Sequence, residues 1–292
     1  MSIGFGSGQR TPASLKLAYA RAARPATPTI TIVVPAKNEA RNLEVVLPKL
    51  PRVHEVILVD GDSSDDTVST ARRVLPSIRV VSQSRKGKGN ALCAGFEAAT
   101  GDIIVMFDAD GSADPDEIPA FVSALINGAD FAKGSRNLDH GGSEDITRLR
   151  SMGNIALNGL ANFLFRTRFT DLCYGYNAFW RDVLPVLDLP ANSQPGVSSQ
   201  DMLWGDGFEI ETLLNCRVAA SKMHVAEVPS VEKLRIHGVS NLNAMTDGTR
   251  VLRTMLVERR RASQHEKALY KNQAIAMTPH FDMETDMLGE PG

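Results

Sequence analysis

Residues 29–133 alternate between short apolar segments and segments with helical periodicity, and this alternation restricts the fold more than any other feature of the chain. The apolar segments are rich in Val and Ile and are too short for core helices, which is typical of strands. Short strands separated by helices predict a parallel sheet with helices on both faces. The predicted strands are 29–34, 55–60, 77–82, 103–107 and 129–133, and the predicted helices are 39–50, 67–74, 90–99 and one that begins at 115.

Two aspartates, Asp108 and Asp110, stand where the fourth predicted strand ends. Because one residue separates them, they lie on the same side of an extended chain. Two hard oxygen ligands at this place suit Mg²⁺ or Mn²⁺, usually with phosphate oxygens completing the shell. The carboxyl ends of parallel strands are also where open α/β sheets bind ligands. For the pair taken alone, a plain turn is the alternative interpretation.

Three other classes of site are disfavoured by spacing. A calcium loop that began at Asp108 would need glycine at its sixth position and glutamate at its twelfth, but its glycine is Gly111 and its twelfth residue is Pro119. The turn after the first strand, 35–39, lacks the glycines of a dinucleotide-binding motif, and the chain has no P-loop motif.

Charge and hydropathy exclude further classes of protein. A formal net charge of −2 gives no general attraction to nucleic acid. No apolar run is long enough to predict a membrane span. The three cysteines, Cys93, Cys173 and Cys216, are widely spaced, which predicts reduced, buried thiols in a cytoplasmic protein. Residues 1–28 are rich in Gly, Ala, Arg and Pro and predict a flexible leader.

Ordered motifs over residues 29–257 resemble the inverting family-2 glycosyltransferases with the GT-A fold. Within that family, the chain resembles the dolichyl- or polyprenyl-phosphate mannose and glucose synthases. The motifs that carry the resemblance are 33–39 (VVPAKNE), 59–67 (VDGDSSDDT), 86–91 (KGKGNA), 108–110 (DAD), 133–136 (KGSR), Asn154, Asn158, 170–176 (TDLCYGY) and 207–211 (GFEIE).

The resemblance implies an α/β fold of GT-A type, with a mostly parallel nucleotide-binding sheet flanked by helices and an acceptor-side extension. Residues 29–136 would form the nucleotide-sugar half and residues 137–262 the acceptor half of one domain. The polar tail, 263–292, is expected to be disordered.

The donor site implied by the resemblance lies at the ends of the first strands. Asp62 would take over a carboxylate role, because the chain has Asp60-Gly61-Asp62 where the family usually has Asp-Asp-Gly. Glycines and lysines at a helix start, 86–89, suit an anion. For Asn38 and Glu39, helix capping is the alternative. The implied donor-site residues are Pro35, Ala36, Asn38, Glu39, Asp60, Asp62, Lys88, Asp108, Ala109 and Asp110.

On the acceptor side, Arg136, Arg148 and Arg150 are candidates to hold a phosphate, since arginine forks match phosphate oxygens. His237 is the candidate third metal ligand beside Asp108 and Asp110. A phosphate acceptor needs no catalytic base, whereas a hydroxyl acceptor needs one. Asp171 is a candidate to position the acceptor or to act as the base, and Asp206 and Glu209 are further candidate bases. Asn177 stands where family members carry arginine.

Two predicted helices raise the question of a membrane partner. Helix 148–165 has little polar face and is either buried, which we favour, or in contact with a lipid acceptor. Helix 243–258 ends in basic residues and either leans on an anionic membrane or presents an ordinary solvated face. A homodimer is a further option.

The leading prediction is an inverting hexosyltransferase that uses Mg²⁺ or Mn²⁺ and a donor of the GDP-mannose or UDP-glucose type. The acceptor would be a polyprenyl phosphate at the inner face of the membrane. Many relatives carry C-terminal membrane helices that this chain lacks, so a soluble hydroxyl acceptor is the alternative. A nucleotidyltransferase and a non-catalytic nucleotide-sugar-binding protein are the less favoured predictions.

Overall fold

The computed structural model describes residues 21–145, 147–194, 202–238 and 244–276. Its main feature is a seven-stranded sheet with the strand order β3-β2-β1-β4-β7-β5-β8, beside a small two-stranded sheet of β6 and β9. The strands are β1 (Ile30–Ala36), β2 (Glu55–Asp60), β3 (Arg79–Ser82), β4 (Ile103–Met106), β5 (Phe131–Ser135), β6 (Gly142–Ser143), β7 (Asn177–Trp180), β8 (Val225–Pro229) and β9 (Val231–Glu232).

Helices connect the strands as the sequence pattern predicts. They are α1 (Ala40–Val46), α2 (Thr67–Val74), α3 (Lys88–Ala98), α4 (Ile118–Ile126), α5 (Arg148–Phe165), α6 (Leu184–Leu187), α7 (Ile210–Ala220) and α8 (Ala244–Ala276). The predicted helix 39–50 is shorter than expected and continues as a 3₁₀ turn, Leu47–Lys49, which contains Pro48.

Strand β1 lies at the centre of the parallel half of the large sheet. It pairs in parallel with β2, where Ile32 is opposite Val56, and with β4, where Ile32 is opposite Val105. All four residues of β4 are buried, as expected for a strand covered on both faces. Strand β7 runs antiparallel to β4 and β5. The predicted α/β fold with a mostly parallel sheet is confirmed.

The predicted halves, 29–136 and 137–262, share this sheet. Strands β7 and β8 come from the second half and lie on either side of β5 from the first half. Residues 137–262 therefore contribute two strands to the large sheet. A second, smaller apolar cluster joins α5, α7 and α8 through Ala161, Cys216 and Met255.

Helix α5 begins and ends where the sequence predicts, but the expected burial is wrong. Met152, Ile155 and Phe163 have exposed fractions of 69%, 64% and 80%. The helix packs through its other side, because residues such as Leu160 lie against the second cluster. No helix in the described residues is long and apolar enough to cross a membrane.

Two further predictions are corrected near the C-terminus. The helix predicted from residue 202 begins at Ile210, because Gly205 has a φ of 102° and turns the chain. Helix α8 continues to Ala276, so residues 263–276 are helical rather than disordered. That stretch is rich in Ala, Glu, Lys and Gln, which favour helices without any apolar face. Residues 277–292 and most of the predicted leader lie outside the described residues.

Candidate active site

A cleft of about 1250 Å³ opens at the carboxyl ends of β1 and β4. Most of the residues predicted for the site line it, whereas Asp60, Asp62 and Asp171 do not. The cleft therefore gathers charged side chains of both signs from distant parts of the chain. The predicted residues that line it are Pro35, Ala36, Asn38, Glu39, Lys88, Asp108, Ala109, Asp110, Arg136, Arg150 and His237.

Asp108 forms an ion pair with Lys88, which also pairs with Glu211. The Lys88 amino group is 2.8 Å from a carboxylate oxygen of Asp108 and 2.6 Å from one of Glu211. Burial lowers the pKa of Lys88, but the two carboxylates outweigh it and raise the pKa above its ordinary value. Burial raises the pKa of Asp108, with help from Asp110 and Glu211 and against the effect of Lys88. A further cation at Asp108 would relieve this crowding of carboxylates.

Asp110 is held differently, by its own loop and by an arginine. One carboxylate oxygen accepts from the Ser112 backbone N–H at 2.9 Å and from the Ser112 hydroxyl at 2.7 Å. The other oxygen pairs with Arg235 at 2.9 Å. The same guanidinium pairs with Glu39, also at 2.9 Å, so it bridges the ends of β1 and β4.

The donor set at this edge of the sheet fits a hard divalent cation, since Asp108 and Asp110 offer carboxylate oxygens beside open cleft volume. Within the described residues, no three His, Cys, Asp or Glu side chains form a complete metal site. Phosphate oxygens and water would therefore complete the shell. His237 lines the cleft, and its backbone carbonyl accepts from the Asn42 amide at 3.2 Å. A metal role for the His237 imidazole stays a prediction.

Asp60, at the end of β2, has an unused acceptor. Its Oδ2 accepts from the Ser63 N–H at 3.3 Å, whereas its buried Oδ1 has no hydrogen-bond partner in the described part of the chain. A buried acceptor without a donor costs free energy unless a ligand supplies one. Because Asp60 lies outside the cleft lining, its role in nucleotide binding stays a prediction.

The loops beside Asp60 correct two expectations. Asp62 is exposed, with a φ of 61°, and the cleft is lined by Gly61 instead, so the predicted carboxylate role of Asp62 is wrong. Asn38 does not cap α1, because its Oδ1 accepts from the Ser64 N–H at 2.8 Å and ties the loop after β1 to the loop after β2.

The predicted anion site on the backbone at the start of α3 is also wrong. The N–H groups of Gly89 and Asn90 donate to the Asp206 carbonyl at 2.7 and 3.1 Å. A Cβ on Gly89 would lie 1.8 Å from the Gly205 carbonyl oxygen, so glycine is required for this close approach. The Lys88 side chain reaches the carboxylates of Asp108 and Glu211 in the cleft.

Arg136, in the wall of the cleft, forms a paired unit with the buried Asp171. Asp171 is fully buried and accepts from Arg136 Nε at 2.6 Å and Nη2 at 2.9 Å. Arg136 Nη1 donates to Glu232 at 2.9 Å, and the guanidinium stacks over Tyr174. The geometry contradicts a base role for Asp171, because it has no access to the cleft. It also makes Arg136 a support of this wall, since its side-chain nitrogens already have carboxylate partners.

The other residues predicted for the acceptor site also differ in their access to the cleft. Arg150 lines the cleft and pairs with Asp145 at 3.3 Å, so it is placed to meet an anion. Asp206 is fully buried against Arg85, which rules it out as a base. Glu209 caps its own turn by accepting from the Gly205 and Gly207 N–H groups at 3.0 and 3.2 Å. The side chain of Arg148 is outside the described part of the structure.

Two cleft residues were not assigned roles from the sequence. Glu211 belongs to the motif 207–211 but has no predicted role. In the structure it is a carboxylate partner of Lys88 at the start of α3. Arg235 belongs to none of the sequence motifs, and no local pattern indicates that it reaches Glu39, which is 196 residues away in the chain.

Replacing Asp171 by Asn tests the structural role of the Arg136 pair. Burial raises the pKa of Asp171, but the hydrogen bonds and charge of Arg136 outweigh it and hold the pKa below its ordinary value. A lowered pKa contributes stability above the unfolded-state value of about 3.9, and that stability is lost as the pH falls through the folded-state pKa. We therefore expect Asp171→Asn to lower the free energy of unfolding at pH 7 and pH 5, and the difference from wild type to shrink below about pH 4.

Urea unfolding at several pH values measures this difference. The exposed Asp116→Asn serves as the control and should change the free energy of unfolding by less than about 0.5 kcal/mol. A variant that kept full stability at pH 7 but lost turnover would instead restore Asp171 as a catalytic base.

A mostly parallel sheet with a carboxylate pair after β4 agrees with the GT-A fold that the sequence predicts. The sequence model of the family described as glycosyl transferase family 2 matches residues 31–187. The chain belongs to this family.

The relatives it resembles include characterised and uncharacterised proteins. It is 40% identical over 107 residues to an uncharacterized glycosyltransferase of Mycobacterium tuberculosis, a match that spans 37% of this chain and 48% of that protein. It is 30% identical over 233 residues to the polyprenol monophosphomannose synthase of Mycolicibacterium smegmatis, spanning 75% of this chain and 83% of the relative. The chain thus spans about half the length of the first relative and most of the second.

The fold is also found in a solved enzyme. The crystal structure of glucosyl-3-phosphoglycerate synthase from Mycobacterium tuberculosis, in complex with Mn²⁺, UDP and phosphoglyceric acid, superposes with a TM-score of 0.61. The alignment covers 87% of this chain and 84% of that one, at 24% sequence identity. This likeness establishes the shared fold.

Proposed function

We propose that this protein transfers a hexose from a nucleoside diphosphate sugar, of the GDP-mannose or UDP-glucose type, to a polyprenyl phosphate with inversion at the sugar carbon. The observation that carries the proposal is the position of Asp108 and Asp110 at the end of β4, in a cleft that also holds Lys88 and Arg235. Opposed charges at one sheet edge suit a metal and a diphosphate together.

The charged residues of the cleft have different proposed roles. Asp108 and Asp110 would hold Mg²⁺ or Mn²⁺, which supplies Lewis-acid neutralisation of the departing diphosphate. The base would lie against the ends of β1 and β2, where Pro35, Ala36 and Gly61 line the cleft. Lys88 and Arg235 would add positive charge where the leaving group gains negative charge.

The transfer itself is a single displacement at the anomeric carbon. An oxygen of the acceptor forms a bond to this carbon on the face opposite the diphosphate, and the bond to the diphosphate oxygen breaks with both electrons leaving on that oxygen. A phosphate acceptor is already ionised at neutral pH, so it needs no base. This agrees with the burial of Asp171 and Asp206 away from the cleft.

Helix α5 supports a lipid acceptor. Its first turns place Arg150, Asn154 and Leu157 in the cleft wall. Met152, Ile155 and Phe163 on the same helix are exposed to solvent. A cation in the cleft wall and exposed apolar side chains on another side of the same helix suit a phosphate attached to a hydrocarbon chain, and they suit contact with the inner membrane surface. The Mycolicibacterium smegmatis relative is named for polyprenol monophosphomannose synthesis.

A soluble phosphorylated acceptor is the second candidate. The solved structure that shares this fold contains phosphoglyceric acid beside UDP and Mn²⁺. Arg150 could meet a small anion as well as a lipid phosphate. Homodimer formation stays a prediction from the sequence.

Transfer of radiolabel from GDP-mannose and UDP-glucose tests the function and separates the two acceptors. With Mn²⁺ and a polyprenyl phosphate present, we expect label to enter the organic phase with one of the two donors. Label in a new aqueous product that forms only with a soluble acceptor would favour the second candidate. Donor binding without any transfer to either acceptor would contradict both.

Replacing Arg150 by alanine tests the acceptor site. A charged hydrogen bond contributes about 1.5–3 kcal/mol, so we expect KM for the acceptor to rise roughly 10- to 100-fold. Donor hydrolysis without acceptor should stay near the wild-type rate. Arg168→Ala removes an exposed arginine outside the cleft lining and is the matched control. Equal effects from both variants would remove Arg150 from the acceptor site.

A further inference from the structure

Residues 233–238, here called the strap, lie over the loop that follows β4. The Lys233 N–H donates to the Ser112 carbonyl at 2.8 Å, and the Ile236 N–H donates to the Asp110 carbonyl at 3.1 Å. A Cβ added to Gly111 would lie 2.4 Å from the Ile236 side chain, so the strap packs directly on this loop. The backbone contacts thus hold Arg235 beside the candidate metal carboxylates.

Arg235 inserts between two carboxylates of the cleft. Its Nη1 is 2.9 Å from Glu39 Oε1, and its Nη2 is 2.9 Å from Asp110 Oδ2. Both pairs are partly exposed, so their net strength is modest and they can exchange. The guanidinium therefore neutralises one of the two carboxylates that a metal would use.

The two oxygens of Asp110 leave little room for a second cation. Oδ1 accepts two hydrogen bonds from Ser112, and Oδ2 accepts from Arg235. A divalent ion bound at Oδ2 would repel the guanidinium at close range. Arg235 would then need another anion, and phosphate oxygens match the arginine fork well.

We propose that Arg235 and the divalent cation compete for Asp110. The donor diphosphate ends this competition, because it forms an ion pair with the Arg235 guanidinium in place of Asp110. The inference rests on the proposed function and adds a binding mechanism to it. A metal that binds alone must break the Arg235–Asp110 ion pair, and a nucleotide that binds Arg235 alone must break its ion pairs with both Glu39 and Asp110. Bound together, each ligand removes the other's cost, so the structure assigns them positive cooperativity.

Titration of Mn²⁺ without nucleotide, followed by electron paramagnetic resonance, tests the competition. Because a partly exposed ion pair contributes up to about 1 kcal/mol, we expect Arg235→Ala to bind Mn²⁺ about three- to five-fold more tightly than wild type. Arg235→Gln keeps most of the side-chain length and should behave in the same way. The matched control is Lys233→Ala, which removes the same charge from the same strap but pairs with Asp114.

Repeating the titration with saturating UDP or GDP measures the cooperativity. In wild type, we expect the nucleotide to tighten Mn²⁺ binding by more than in either Arg235 variant. Mn²⁺ affinities that are equal in wild type, Lys233→Ala and both Arg235 variants would overturn the inference while leaving the proposed function intact. If the wild-type protein bound neither Mn²⁺ nor a nucleoside diphosphate, the proposed function itself would fail.

Discussion

Asp110→Ala is expected to reduce turnover of the nucleotide sugar by about a thousandfold. Asp110 would hold the cation that neutralises the departing diphosphate, and this work is worth several kcal/mol, of which about 4 kcal/mol corresponds to a thousandfold in rate. The side chain is not part of the core, since one carboxylate oxygen contacts Ser112 and the other Arg235. We therefore expect the loss to be in turnover and not in folding.

Donor hydrolysis and transfer assays measure this loss, and thermal unfolding shows whether the fold is intact. Asp116→Asn is the control, because Asp116 is an exposed carboxylate in the segment that follows the same loop. Turnover within threefold of wild type in Asp110→Ala would remove the metal from the mechanism. A wild-type protein that bound nucleotide sugar but never turned it over would favour a binding protein.

Among the proposed variants, Asp206→Ala is expected to lower the free energy of unfolding the most. Asp206 accepts from Arg85 Nε at 2.7 Å and from Nη2 at 3.0 Å, and both side chains are buried. Removing one partner of a buried pair leaves the other charge without compensation, which costs about 3–5 kcal/mol. Because the Asp206 carbonyl also holds the start of α3, local distortion would reach Lys88 and the cleft.

Urea unfolding measures the change in the free energy of unfolding. The matched control is Glu44→Ala, which removes a carboxylate from an exposed ion pair with Arg73 and should cost less than about 1 kcal/mol. If Asp206→Ala cost no more than Glu44→Ala, the buried pair would not be the main support of this region. A double variant, Arg85→Met with Asp206→Leu, should recover part of the lost stability, because it leaves no buried charge.

Local patterns predicted the nucleotide side of the fold well. The run that became β4 is apolar throughout, and its two following aspartates lie in the cleft as expected. Helix α5 was placed correctly because its apolar spacing is a local signal, and the structure adds the Thr147 side chain as its N-cap. The sequence could not decide between burial and exposure of the apolar residues of α5, since periodicity does not show how many sides of a helix pack against other elements.

The site was harder to predict, because its decisive contacts are long-range. Asp171 looked like an available carboxylate, and only the fold shows that Arg136 occupies both of its oxygens. The glycines at the start of α3 looked like an anion-binding turn, but they allow close approach of residues 205–206. In each case a charged or flexible residue had two compatible uses, and a distant partner decided between them.

The central claim is that Asp108 and Asp110 hold a divalent cation against the donor diphosphate. The most direct measurement is an anomalous difference map from crystals grown with Mn²⁺ and the nucleoside diphosphate that most raises the melting temperature. The account predicts one strong manganese peak in contact with the carboxylates of Asp108 and Asp110 and with phosphate oxygens of the nucleotide. A nucleotide bound in the cleft with no manganese at these two aspartates, or manganese bound elsewhere on the protein, would contradict it.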